Sequence, residues 1–259
     1  MGGRFAPAHT PNHFPLPAHV SNHQLALPLP RKYNDGVVNL QKINVPEIAA
    51  KLEQPFSMMD IALVGDILVS VYICHGTLEW HRHLDIDELF WVHEGTILLE
   101  SEWGEKLLRP GELAVVPKGV GHRSGSEERA SVLLMRCGVA PDRKNGRRRL
   151  YAIFGEGSLR LVNLQDAAHS APLPFQFQTA IRFENAVLQV AWGEGTWPVE
   201  IPAADDHFLF VLNGTATVRT SESMLHLHPG DLVVIPKGTV YQLSTTRDTA
   251  LVQMAGYRE

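Results

Sequence analysis

One stretch of this chain is written twice, and that limits what it can fold into more than any other feature. Residues 76–122 and 195–241 align over 47 positions at a constant offset of 119 with no gap, and fourteen positions are identical. Most identities fall on turn residues: Gly95 on Gly214, Pro110-Gly111 on Pro229-Gly230, and Pro117-Lys118-Gly119 on Pro236-Lys237-Gly238. A shorter echo, VVNLQ at 37–41 and LVNLQ at 161–165, extends the repeat upstream at an offset of 124. Two copies make a duplicated domain rather than a solenoid. A chain of 259 residues holds two units of about 100–130 residues, each able to bury its own core. The expected division is an arm at 1–35, a first unit at 36–140, a connector at 141–157 and a second unit at 158–259.

Within each unit, short β-branched and aromatic runs alternate with Gly, Pro, Asn and Asp turns, as in ILVSVYI, LFWVHEG, TILLES, LAVVPKG and ASVLLM. Such spacing predicts an all-β barrel or sandwich, with one good helical stretch, VPEIAAKLEQ, where Pro46 stands near the start. Cys74 and Cys137 each sit in an apolar run and are read as two buried thiols rather than a disulfide. The arm carries His9, His13, His19 and His23 at irregular spacing, so it is read as an extended segment packed on its own or a neighbouring subunit, not as a metal-binding tail. Arg143, Lys144, Arg147, Arg148 and Arg149 of the connector are read as solvated or salt-bridged rather than as an anion site. A formal charge of −5 gives no general attraction to nucleic acid or anionic membrane. No apolar run approaches the ~18–20 residues needed to span a bilayer, and the N-terminus lacks the apolar middle of a secretory signal. The expected location is the cytoplasm.

The chemistry concentrates in WHRHLDIDELFWV, residues 80–92. Alternation along a strand puts His81 and His83 on one face; LDID turns the chain, and Glu88 shares a face of the next strand with Phe90 and Val92. His122 follows a second turn in RPGELAVVPKGVGHRS. Three imidazoles and a carboxylate suit Fe(II), Mn(II), Ni(II), Zn(II) or Cu(II). The second copy is an internal control, because the same offset turns these four into Glu200, Pro202, His207 and Tyr241. Glu200, His207 and Tyr241 are a candidate pocket there, but Pro202 offers no donor, so the second unit is read as metal-free. The fold thus does not need the ligand set, and its presence in the first unit calls for another reason.

The pattern G-x4-H-x-H-x4-E-x6-G from Gly76 to Gly95, then G-x5-P-x-G-x2-H from Gly111 to His122, resembles the two sequence motifs of the cupin superfamily. The first motif usually has five residues before its first histidine, and Ser126 stands where an asparagine is often found. The resemblance covers both copies. It implies a bicupin, an all-β chain of two tandem double-stranded β-helix (jelly-roll) barrels with a few short helices. It also implies His81, His83, Glu88 and His122 as ligands of one divalent transition metal per chain, with iron leading and Mn, Ni, Zn and Cu as alternatives. Glu88 doubles as the candidate catalytic carboxylate. The leading expectation is an Fe(II)-type dioxygenase acting on a small polar organic molecule. A redox-neutral Mn, Ni or Zn isomerase or lyase comes next, and a non-catalytic ligand-binding or storage bicupin after it. Phe90 and Trp80 are candidate pocket residues, though packing is their commoner use; Trp91 is read the same way. His75 and His93 fall outside the ligand pattern and are expected at the surface or in support of the ligands. Apolar outer faces of closed barrels suggest a homodimer, with a small-molecule substrate and no nucleic-acid or membrane partner.

Overall fold

The computed structural model describes residues 40–138 and 157–256, together with the backbone of Leu25–Ala26. The connector and nearly all of the arm lie outside the described residues. Strand β1 is Leu25–Ala26 and pairs parallel with Met59-Asp60. The first repeat runs β2 (Lys42–Asn44), α1 (Val45–Lys51), β3 (Met58–Val64), β4 (Ile67–Thr77), β5 (Glu88–Glu94), β6 (Ile97–Ser101), β7 (Gly104–Leu108), β8 (Glu112–Val116) and β9 (His122–Cys137). The second runs β10 (Leu161–Asn163), α2 (Leu164–His169), β11 (Gln178–Phe183), β12 (Ala186–Thr196), β13 (His207–Asn213), β14 (Ala216–Arg219), β15 (Met224–Leu227), β16 (Asp231–Ile235) and β17 (Gln242–Gly256). The offset of 119 therefore holds from the first short strand of each repeat to the last, and even the β3 and β11 bulges coincide, at Asp60/Ala62 and Thr179/Ile181.

The upstream echo is thereby corrected. VVNLQ and LVNLQ match at 124 by composition, but the equivalent elements are β2–α1 and β10–α2, in which Asn44 and Asn163 both cap the helix that follows. Asn163 was visible in the sequence, yet LQDAAH at 164–169 is too short to carry a helical period, so residue pattern alone located only α1 among the few short helices expected. The two helices are built alike for a reason. Val45 N donates to Gly230 O and Leu164 N to Gly111 O, both at 3.0 Å, so the turn after Pro110 or Pro229 receives the helix start of the opposite repeat.

In each barrel the long last strand is the spine: β9 pairs with β4, β5 and β6, and β17 with β12, β13 and β14. Gly95 and Gly214 are required where the hairpin after β5 or β13 crosses that spine. Both have positive φ, and a Cβ there would meet Ala130 Cα at 2.8 Å or Thr249 Cα at 2.7 Å. The first short strand of each repeat leaves its own barrel: β2 pairs with β16 and β10 with β8. Each sheet thus borrows three residues from the opposite repeat.

Among the described residues, buried apolar side chains form three cores. One fills the first barrel (Phe90, Val92, Leu99, Val132), one fills the second (Trp197, Leu209, Val218, Leu251), and the third lies between barrels, where Leu89, Trp91 and Met135 meet Leu188, Phe210 and Val252. The apolar outer faces that suggested a homodimer pack on each other within one chain. Among the described residues no helix is long and apolar enough to cross a membrane.

Asn44 joins these levels. Its Oδ1 accepts from Glu47 N at 2.8 Å, and its Nδ2 donates at 2.7 Å to fully buried Asp231, whose other partners are Lys42 and His228 N. Asn44→Ala is expected to cost about 2 kcal/mol, the loss of a cap plus a partner for a buried carboxylate. Urea unfolding checks this, and a change under 0.5 kcal/mol would contradict the double role.

Candidate metal centre

Glycine turns set where each ligand stands. Beyond Gly76 the chain leaves β4 for residues 78–87, which form a loop rather than the strand expected from alternation. The loop is pinned at two points. His81 and His122 form an isolated antiparallel bridge, with His81 N donating to His122 O at 3.0 Å and His122 N to His81 O at 2.8 Å. Gly119 N then donates to His83 O at 2.6 Å. Glu88 opens β5 and His122 opens β9, so rigid strands supply the buried pair, and the pinned loop supplies the half-buried His81 and His83.

These four side chains converge, with one donor atom from each lying within 4.8 Å of the others; among the described residues no other His, Cys, Asp or Glu group does so. Nε2 of His122 and Nε2 of His83 stand 2.9 and 3.1 Å from the same oxygen, Glu88 Oε2. The imidazole of His81 lies 4.4 Å from that of His122. Nδ1 of His122 is 3.1 Å from Val120 O and Nδ1 of His81 is 3.0 Å from Glu79 O, so each ring spends its Nδ1–H on a carbonyl and turns Nε2 free. In His122 a lone pair then faces an acceptor carboxylate at 2.9 Å. A proton or a cation must stand between them. The donor set, its convergence and this meeting of two acceptors all fit a divalent metal.

Burial alone would raise the Glu88 carboxyl, but the hydrogen bonds and charge of His122 and His83 override it and hold it well below the usual carboxylate range. Burial pushes His81 down, only partly offset by its bond to Glu79 O, so its imidazole is neutral and ready to ligate near pH 7.

Behind the ligands, Phe90 is buried with its ring 5.9 Å from that of His122. Trp80 is half exposed at the surface under Arg123, which pairs with Glu100. Of the two candidate aromatic residues, then, Phe90 walls the cluster. Trp91 lies in the core between barrels. His75 is exposed, and His93 is half-buried against Phe210 of the second barrel, away from the ligands. Cys74 and Cys137 are free thiols; Cys74 is buried but Cys137 only half so, because it ends β9. Sequence reasoning passed over Tyr72 and Ser124, whose hydroxyls are 3.0 Å apart inside the barrel. The signal was there: Tyr72 and Cys74 alternate on β4, and Ser124 stands two residues after His122. Burial raises both Tyr72 and Cys74; the charge of Cys74 adds to the Tyr72 shift while the hydrogen bond to Ser124 opposes it, and both groups keep their protons.

The second barrel repeats the frame with other chemistry. Glu200 and Tyr241 form the equivalent bridge, the Tyr241 hydroxyl donates to Glu200 Oε2 at 2.7 Å, and Nδ1 of His207 lies 3.1 Å from the Tyr241 oxygen and 2.6 Å from Gln253 Nε2. Burial, then the charge of Glu200, drives the Tyr241 phenol far up, so it remains a neutral donor; burial pushes His207 down. Pro202 gives only its carbonyl, to Gly238 N at 2.9 Å. A closed hydrogen-bond network occupies the place that the ligand set holds in the first barrel.

Comparison with known proteins agrees with this architecture. Family models described as "Cupin domain" and "Cupin" match residues 70–135 and 179–258. The uncharacterized protein YdbB of Bacillus subtilis is 33% identical over 84 residues, 32% of this chain and 74% of that protein. A cupin 2 conserved barrel domain protein from Leptotrichia buccalis superposes with a TM-score of 0.65 at 10% identity, covering 85% of this chain and 98% of the other. Salicylate 1,2-dioxygenase from Pseudaminobacter salicylatoxidans superposes with a TM-score of 0.63 at 11% identity, covering 84% of each chain. At such identities the two superpositions are likenesses of fold.

Proposed function

Because this chain belongs to the cupin family and is built as a bicupin, we propose that it is a metal-dependent enzyme of the Fe(II) dioxygenase type, acting on a small polar organic substrate in its first barrel. The observation that carries the reading is the four-donor cluster of His81, His83, Glu88 and His122, which the second barrel replaces with a self-satisfied network. The fold shared with salicylate 1,2-dioxygenase supports it. One divalent ion per chain would be held by those four side chains. When bound, Fe(II) supplies redox chemistry toward dioxygen and Lewis acidity toward a substrate oxygen pair.

The protein's own groups do the rest. The Glu88 carboxylate, held ionised by His122 and His83, would cancel one positive charge of the ion through Oε2. The Tyr72 and Ser124 hydroxyls are the polar pair facing the barrel interior and would orient a substrate oxygen. Phe90 presents an apolar wall that limits water beside His122.

Anaerobic reconstitution with Fe(II) is expected to load about one iron per chain and to support oxygen uptake with a member of a catechol, diketone and keto-acid panel. A loaded protein that neither consumed oxygen nor altered any compound would overturn the dioxygenase reading. Zinc, nickel or manganese in the protein as isolated, with no oxygen uptake, would favour the isomerase or lyase reading.

A further inference from the structure

The turn between β11 and β12 lies in the second barrel, yet its side chain reaches the ligand loop of the first. Glu184 Oε1 accepts from Asp87 N at 2.5 Å, and Glu184 N donates to Asp87 Oδ2 at 3.2 Å. Asp87 precedes the ligand Glu88, and its other oxygen accepts from Lys118 N at 2.9 Å. Lys118 belongs to the Pro117-Lys118-Gly119 turn, where Gly119 N holds His83 O and after which the chain reaches His122. Lys118 Nζ stands 3.9 Å from Glu184 Oε2. One side chain from the metal-free barrel thus ties together the backbone that presents three of the four ligands.

The backbone of Glu184 argues that this contact is specific. It sits at φ +47, in the left-handed region that disfavours residues with a Cβ. The equivalent position in the first barrel is Gly65, at φ +58, which makes the same turn without strain. Gly65 packs beside Asp205, next to Asp206, and Asp206 accepts from Lys237 N at 2.9 Å just as Asp87 does from Lys118 N. The docking of turn on loop is therefore two-fold, but only the copy facing the ligand set has a carboxylate at the left-handed position, where the other has Gly65. We infer that Glu184 is a positioning residue for the metal centre of the opposite barrel, an inference that rests on reading the four-donor cluster as a metal site.

Cobalt(II) titration of the full chain, followed by its visible d–d absorption, tests this alongside thermal melting. E184G and E184N both suit a left-handed turn and keep the backbone bond to Asp87 Oδ2 but lose the long side chain whose oxygen accepts from Asp87 N; E184Q keeps that oxygen. E184G and E184N are expected to melt within a few degrees of the unsubstituted chain, to bind Co(II) about tenfold more weakly and to show shifted d–d bands, while E184Q stays near the original in both. Unchanged affinity and bands in E184G and E184N would overturn the inference. So would a lowered melting temperature with unchanged bands, which marks a merely structural contact. Failure of the unsubstituted chain to bind Co(II) would instead overturn the metal reading, and this inference with it.

Discussion

His122→Ala is expected to weaken binding of a divalent transition metal by roughly a thousandfold and still leave a folded chain. Loss of a group that only supports a ligand costs about 10–100-fold, and loss of one ligand in four should cost more. The fold should survive because the rung is a backbone bridge, formed equally by Glu200 and Tyr241 where no imidazole is present. The variant will not be neutral, however. His122 is 1% exposed and Glu88 3%, so alanine removes a partner from a buried carboxylate and leaves it only His83 at 3.1 Å. In the intact chain Glu88 titrates below its unfolded value, so its stabilisation is full above about pH 4.3 and is lost only as pH falls through the depressed value. Without His122 only His83 opposes burial, and the carboxyl is expected to rise above the unfolded value, so that the penalty grows as pH rises from about 4.3 toward neutrality. The metal-free variant should be less stable by roughly 3 kcal/mol at pH 7, with a smaller deficit at pH 5, and added Glu88→Gln should recover much of it. Metal titration and urea unfolding at the two pH values check this. Retained affinity, or a deficit equal at both values, would contradict the account.

What could be read beforehand, and what could not, divides by the range of the interaction. The convergence of His81, His83, Glu88 and His122 was legible because glycine and proline turns, repeated at one offset, fix where strands begin, and because the second copy replaces all four residues. The barrel strands were legible from period-two runs. Local geometry between turns was less so: His81 and His83 meet through a bridge and a carbonyl contact, not strand alternation, and no propensity encodes that. Contacts between repeats were not legible at all. The exchange of β2 and β10, the Asn44–Asp231 bond and the Glu184–Asp87 clasp join residues that lie in different repeats, from about fifty to nearly two hundred positions apart. Their sequence signals are ordinary: an asparagine before a helix, a glutamate in a hairpin. Only the choice of Glu184 where Gly65 suffices hints that a side chain is wanted there.

The largest loss of stability is expected from Trp91→Ala. Trp91 is 1% exposed, and its ring meets that of Phe210 edge-on at 4.6 Å. The two are equivalent positions at the offset of 119, so they meet where the repeats face each other. Strand β5 is buried on both faces: Glu88, Phe90 and Val92 point into the barrel, while Leu89 and Trp91 point to the second barrel. Truncating a buried aromatic residue of this size costs about 3–5 kcal/mol, because the cavity closes only in part. The core between barrels draws strands from both repeats, and each helix start is anchored in the opposite repeat, so the loss should be shared. Urea unfolding should remain a single transition, and hydrogen exchange should show peptides covering 88–94 and 207–213 losing protection together. Loss confined to the first barrel would mean that the two fold independently. The same variant should weaken metal binding although Trp91 touches no ligand, since the strand that presents Glu88 would lose its support. The second barrel then has a physical reason to be kept: its outer face is half of the core on which the strand that presents Glu88 stands.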